Sequence, residues 1–160
     1  MATIEKSIEV NAPVQPVYNQ WTQFEEFPRF MEGVEHVKQL DDKRLHWKAQ
    51  IAGKEKEWDA EIYEQIPDTR ICWRTIGGTP NNGCVTFQEM GAEKTKIALR
   101  MDYDPETFME KAGDAVGIVS MRVEGDLKRF KEFIEERGHE TGRWRGHIEG
   151  SRVREDEQHG

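Results

Sequence analysis

The alternation of apolar and polar residues along residues 44–51 constrains this chain more than any other feature. Leu45, Trp47, Ala49 and Ile51 fall on one side, and His46, Lys48 and Gln50 on the other. The pattern recurs with Trp58, Ala60 and Ile62 against Glu57, Asp59, Glu61 and Tyr63. It recurs again with Ile97, Leu99, Met101 and Tyr103 against Lys96, Ala98, Arg100 and Asp102. A period of two belongs to strands whose two faces meet different surroundings. These segments therefore predict an antiparallel sheet with one wet face and one buried face. Later the period changes. Phe108, Ala112, Val116, Val119, Val123, Leu127, Phe130 and Ile134 follow one another at spacings of three or four, which marks a helix with one apolar stripe. The helix is expected to run from about Glu106 to Arg137 and to stop at Gly138. Its stripe must cover the buried face of the sheet. A curved sheet gripping one helix encloses space, and that space is the first candidate for a functional site.

The remaining elements follow from local signals. Thr3–Val10 reads as a first strand. Asn11 suits an N-cap and Pro13 the first turn of a short helix over 13–21. The aromatic run Phe24 to Met31, interrupted by Pro28, predicts a second short helix. Strands are expected at 34–40, 44–51, 55–66, 70–76, 84–90 and 94–104, separated by turns such as Pro67-Asp68 and by a glycine-rich loop from Gly77 to Gly83. Residues 1–138 then form one domain of α+β class. Residues 139–160, with four Arg, three His and four Gly, are expected to be a polar, flexible C-terminal tail. Trp144 breaks that pattern: it reads either as a docking motif for another protein or as an anchor folded back onto the domain.

Composition removes some functions. A formal net charge of −8 argues against a nucleic-acid partner, which needs a concentrated basic face. No stretch approaches the ~18–20 apolar residues that span a bilayer. The opening residues lack the apolar core of a signal peptide, so a cytoplasmic location is expected. Cys72 and Cys84 both fall in predicted strands. They read as a redox pair or metal ligands, or as two small buried thiols in a reducing compartment, and the second reading is preferred. Without a matching His cluster they do not predict a metal site. No glycine loop for phosphate and no nucleophile elbow is present in the sequence, so no cofactor is expected.

The element order is that of the helix-grip fold, and several segments carry a family resemblance. Ile8-Glu-Val-Asn-Ala-Pro-Val14, Val17-Tyr-Asn-Gln-Trp-Thr22 and Phe24-Glu-Glu-Phe-Pro-Arg-Phe-Met31 resemble the opening of the polyketide cyclase/dehydrase branch of the START-like (SRPBCC) superfamily. So do Trp58-Asp-Ala-Glu-Ile62, Ile71-Cys-Trp-Arg74, Asn82-Gly-Cys-Val-Thr-Phe87 and Asp126-Leu-Lys-Arg-Phe-Lys131. The resemblance implies a seven-stranded curved antiparallel sheet wrapped around a long C-terminal helix, with a tunnel between them. Members bind lipids, sterols, quinones or polyketides there, and a few perform cyclisation or dehydration. The motifs are mostly apolar and turn residues, so they specify fold better than function.

Alternation sends Trp47, Trp58, Ala60, Ile62, Trp73, Phe87, Leu99, Met101 and Tyr103 inward from the sheet. The helical stripe adds Ala112, Val116, Val119 and Val123. These are the candidate ligand-binding residues for a small hydrophobic molecule. Tyr103 and His36 are the candidate acid–base groups, although Val34 and Val37 can both face inward beside His36 only if the strand bulges. Glu55, Glu57, Asp59 and Glu61 read as a solvated charge stripe. The tryptophans either fill the core completely or line an elongated cavity; the small residues Ala49, Ala60, Ala112, Gly113 and Gly117 favour the cavity. Three functions fit: binding of a lipid-, quinone- or polyketide-like molecule, a cyclase or dehydratase acting on one, and a ligand-free interaction or stress-response module.

Overall fold

A computed structural model describes residues 2–51, 54–77, 81–104, 115–150 and 152–154, except the side chains of Ile51, Ala115 and Val116. The chain runs β1 (Ala2–Val10), α1 (Val14–Trp21), a 3-10 helix (Phe24–Arg29), β2 (Val34–Gln39), β3 (Arg44–Ile51), β4 (Lys54–Ile66), β5 (Arg70–Ile76), β6 (Asn81–Gly91) and β7 (Lys94–Tyr103). It ends with α2 (Ala115–Arg137), β8 (His147–Glu149) and β9 (Arg152–Arg154). The main sheet has the order β1-β7-β6-β5-β4-β3-β2, antiparallel throughout. Its buried face packs on α2 through Val119, Leu127, Phe130 and Ile134. This is the helix-grip architecture, with β8 and β9 added to the seven strands expected. The expected helical segment before Ala115, with Ala112 and Gly113, lies outside the described residues.

Two bulges tune the alternation. One lies between Val34 and His36 in β2. It lets Val34 and Val37 both pack inward while His36 faces solvent. The other lies between Ile62 and Glu64 in β4 and shifts the phase by one residue. Beyond it Gln65, not Glu64, is buried, and its amide donates to the Tyr18 hydroxyl at 3.0 Å. A buried amide needs such a partner. Asn11 does not cap α1: Pro13 holds the cap position without a side-chain bond, and the Asn11 N–H donates to Glu135 on α2 instead.

The C-terminal segment departs from the expected tail. β8 pairs with Glu64 and Gln65 of β4, where β3 has already ended opposite Glu61. It covers an otherwise open strand edge. Ile148 is fully buried there. The approach to β8 is held by polar pairs with α1. Thr141 exchanges two hydrogen bonds with Gln20, the Trp144 N–H donates to Thr22 Oγ1, and Arg145 bridges Asn19 and Asp68 at 2.6 and 2.7 Å. The polar composition of this segment is matched by polar groups on α1, so it packs without being apolar. Trp144 folds back against the core.

Cys72 and Cys84 stand directly opposite in the β5–β6 pair and form a disulfide. The two separate thiols expected from the sequence are thus corrected: register places the Cβ atoms of opposed residues within bonding reach. The cysteine chemistry then lends no support to a reducing compartment, since disulfides persist mainly in oxidising ones. No described helix is long and apolar enough to cross a membrane.

Ile148→Ala should lower stability by about 2–5 kcal/mol, the cost of a large-to-small change in a packed core. Urea denaturation measures this, and a loss under about 0.5 kcal/mol would place the segment outside the cooperative fold.

Candidate functional site

The space between sheet and α2 is filled unequally. At one end α1 and the 3-10 helix insert Tyr18, Trp21, Phe24, Phe27 and Phe30. Their rings meet edge to face: Trp21 lies 4.9 Å from Phe130 and 5.6 Å from Phe27, and Phe30 lies 5.2 Å from Phe130. Toward the other end Ile4, Ala49, Met101, Tyr103 and Val119 form a smaller cluster. Between the two clusters lies a cavity of about 150 Å³. Its aromatic wall is Trp47 stacked on Trp58, with ring planes 6° apart and centroids at 5.8 Å, and Trp73 on the next strand but one from Trp47. The Trp73 indole N–H is held by Asn81 Oδ1 at 3.3 Å.

Most of the predicted lining is present. Trp47, Trp58, Ala60, Ile62, Trp73, Leu99 and Met101 face the cavity from the sheet, and Val119 and Val123 from α2. Ala60 is only 1% exposed, so its small side chain contributes to the free volume beside it. Phe87 does not line the cavity. It is the partner of Tyr18 and Trp21 in the aromatic end, at 5.3 and 6.1 Å. Tyr103 is fully buried in the smaller cluster with Ile4 and Met101 and also does not line it. His36 is exposed on the outer face, 6.3 Å from the His46 ring. Neither candidate acid–base group therefore reaches the cavity. Ala112 and the Val116 side chain lie outside the described residues.

The sequence reading missed two contributions. Trp21, Phe24, Phe27 and Met31 close the cavity from the helical end. Their dense aromatic pattern was the available signal. The second is polar. Arg122 and Asp126, which are not part of the apolar stripe, lie one turn apart on its flank and line the cavity with Glu32. They belong to a seam that joins α2 to the β2–β3 side of the sheet. Arg122 Nη1 donates to the Gln50 carbonyl at 2.9 Å, the Glu32 N–H donates to Asp126 Oδ1 at 3.0 Å, and Arg129 Nε donates to the Phe30 carbonyl at 2.8 Å. Arg129 also pairs with Asp126. Gly33 sits inside this seam with φ +81°; a Cβ there would stand 2.6 Å from the Gln50 carbonyl oxygen and 2.9 Å from Arg122 Nη1. Only glycine meets both demands.

Asp126 is 17% exposed. Burial pushes its carboxyl above the ordinary aspartate value, and the Glu32 N–H and Arg129 offset this only in part. On the opposite, wet face His46 lies between Asp59 and Glu57, at 2.6 and 3.1 Å, and both carboxylates raise its pKa. Glu61 pairs there with Arg74 and Lys48 with Glu55. The carboxylate stripe is thus a surface ion-pair array, separate from the cavity.

Residues 10–132 match the family described as polyketide cyclase / dehydrase and lipid transport. The chain belongs to that family. An uncharacterised 17.2 kDa protein of Streptomyces lincolnensis is 52% identical over 149 residues, covering 92% of this chain and 99% of its own length. Among solved structures, an aromatase/cyclase from a Streptomyces species superimposes with a TM-score of 0.73 at 16% identity, over 86% of this chain and 96% of that one. A START superfamily protein from Mycobacterium smegmatis gives 0.71 at 14% identity, over 84% and 97%. At such identities the two structures establish the START-like fold of this polyketide cyclase/dehydrase family member and nothing finer.

The raised Asp126 carboxyl gives a pH test. A group whose folded pKa lies above its unfolded value contributes stability at low pH and loses it as pH rises through the folded pKa. The stability of the wild type relative to Asp126→Asn, which does not titrate, should therefore fall as pH rises from about 4, the unfolded value. Urea denaturation across pH reads this directly, and a constant difference would mean that burial does not perturb Asp126.

Proposed function

We propose that this protein binds a small hydrophobic molecule in the cavity between the sheet and α2. The observation that carries the reading is the open volume itself. An apolar space walled by Trp47, Trp58 and Trp73 persists between two fully packed clusters. Native interiors close-pack and leave few voids larger than a water molecule, and an unfilled apolar space forfeits dispersion contacts. A ligand that enters recovers them. Membership of a family that includes lipid transport supports the same reading. Small-molecule sites are concave and mostly apolar with a few placed polar groups, as here.

A second reading, acid–base chemistry on the bound molecule, is favoured by one observation. Asp126 places a carboxyl with a raised pKa on the cavity wall. A general acid or base needs that placement. His36 and Tyr103 do not supply it, so a cyclase or dehydratase would have to work through the carboxyls of the lining, Asp126 or Glu32.

Ala60→Trp tests the first reading. The larger ring should fill the cavity and abolish the uptake of apolar ligands, followed by native mass spectrometry after exposure to a lipid, quinone and polyketide-like panel. Cooperative unfolding should persist, because the ring enters empty space. Undiminished uptake by Ala60→Trp would remove the cavity as the binding site.

A further inference from the structure

The cavity's size and its one polar end narrow the ligand. About 150 Å³ is the volume that accepts benzene when lined by aliphatic and aromatic side chains, whereas pockets for larger ligands run to roughly 300–1,000 Å³. A long acyl chain or a four-ring skeleton does not fit that space; one or two fused rings do. The stacked Trp47–Trp58 pair and Trp73 offer flat aromatic surfaces, and planar molecules bury most area against such walls. Met31 and Met101 supply adaptable packing around them.

The polar end chooses the ligand's functional group. Asp126 Oδ1 already accepts from the Glu32 N–H and from Arg129. No hydrogen bond from a described residue reaches Oδ2, and Asp126 lines the cavity. Arg122, the neighbouring cation, gives one nitrogen to the Gln50 carbonyl. The arrangement offers an acceptor in a lining that is mostly apolar. Asp126 and Glu32 balance Arg122 and Arg129 in charge, so the seam gives an anionic head no net attraction.

Resting on the cavity reading above, we propose that the site takes a neutral, planar molecule of one or two fused rings whose hydroxyl donates to Asp126 Oδ2. Asp126 is then the specificity-determining residue. A ring hydroxyl is recognised over bare hydrocarbon, and over a carbonyl that can only accept. The Asp126→Asn variant keeps the Oδ1 acceptor for Glu32 and Arg129 while presenting an N–H₂ donor to the cavity. It should invert the preference without dismantling the seam.

Isothermal titration with four probes decides the matter: 2-naphthol, naphthalene, 1,4-naphthoquinone and hexadecanoic acid. The wild type should bind 2-naphthol at least about tenfold more tightly than naphthalene or the quinone, as expected for one charge-assisted hydrogen bond in a dry site, and hexadecanoic acid more weakly still. Asp126→Asn should favour the quinone over 2-naphthol. Equal affinities for naphthol and naphthalene, or unchanged selectivity in Asp126→Asn, would overturn the Asp126 assignment. Hexadecanoic acid binding as tightly as the naphthol would overturn the size limit while leaving a binding cavity in place. Failure of all four probes, with Ala60→Trp behaving as wild type, would remove the cavity reading and this inference with it.

Discussion

The edge-to-face contact of Trp21 with Phe130 sets the geometry on which the rest depends. Phe130 is the stripe residue of α2 that meets the helical insertion. Trp21 is the last residue of α1, and through Phe27 it ties the 3-10 helix to the same point. Each such aromatic pair contributes about 0.5–1.5 kcal/mol beyond the area it buries. More important is where the volume goes. One helix cannot fill the concave face of a seven-strand curved sheet with its own side chains. The aromatic insertion supplies the missing volume at one end only. The space beyond Phe27 and Trp47, whose rings lie 5.6 Å apart, is left unfilled. The cavity is therefore a consequence of which end the 3-10 helix plugs.

The seam of Arg122, Asp126 and Arg129 performs a second task at the same place. Each of these side chains bonds the backbone of a segment on the β2–β3 side, so α2 is tied to the sheet by directional contacts beside an otherwise apolar interface. Buried polar groups cost stability unless paired. Here each side chain is held by at least one bond of the fold, while Asp126 Oδ2 receives none from a described residue. Burial of this carboxyl carries a cost of its own, expressed as a pKa raised above the ordinary aspartate value. The same cost is what a hydrogen-bonding ligand would relieve.

Alternation made β3, β4 and β7 legible, and with them the inward tryptophans, because sheet faces obey a strict period. It failed where the backbone leaves that period. The bulge after Ile62 adds one residue, and no count of apolar positions in β4 reveals it. Its trace in the sequence is chemical: Gln65 is buried because Tyr18 needs a partner across the core. The C-terminal segment was illegible for a related reason. Asn19 and Gln20 of α1 and Thr22 at its C-terminal cap are buried, and such polar residues at the core demand partners. Those partners are Thr141, Trp144 and Arg145, more than a hundred residues away. Low apolar content misleads when polar groups satisfy each other pair by pair. Arg122 and Asp126 lie outside the apolar stripe that periodicity reveals, whereas a helix in a concave sheet has contacts on its flanks as well.

The distribution of polar groups also separates binding from catalysis as physical problems. The tryptophan walls provide area, and area alone discriminates weakly: one methylene more or less in an apolar pocket is worth only about 1–3 kcal/mol. A site that must hold one planar molecule among many needs a group that penalises the wrong partner, which an unpaired buried acceptor does. Chemistry asks for more. Cyclisation or dehydration requires a proton to be given and another taken, with a second group to receive charge as it develops. Among the described residues Asp126 and Glu32 are the carboxylates of the cavity wall; the guanidinium of Arg122 is partly committed to Gln50, and Trp73 spends its N–H on Asn81. An apolar aromatic slot with a few polar groups on its wall suits the selective binding proposed above. Acid–base chemistry would also need Arg122 to reach the ligand with the N–H groups it does not give to the Gln50 carbonyl.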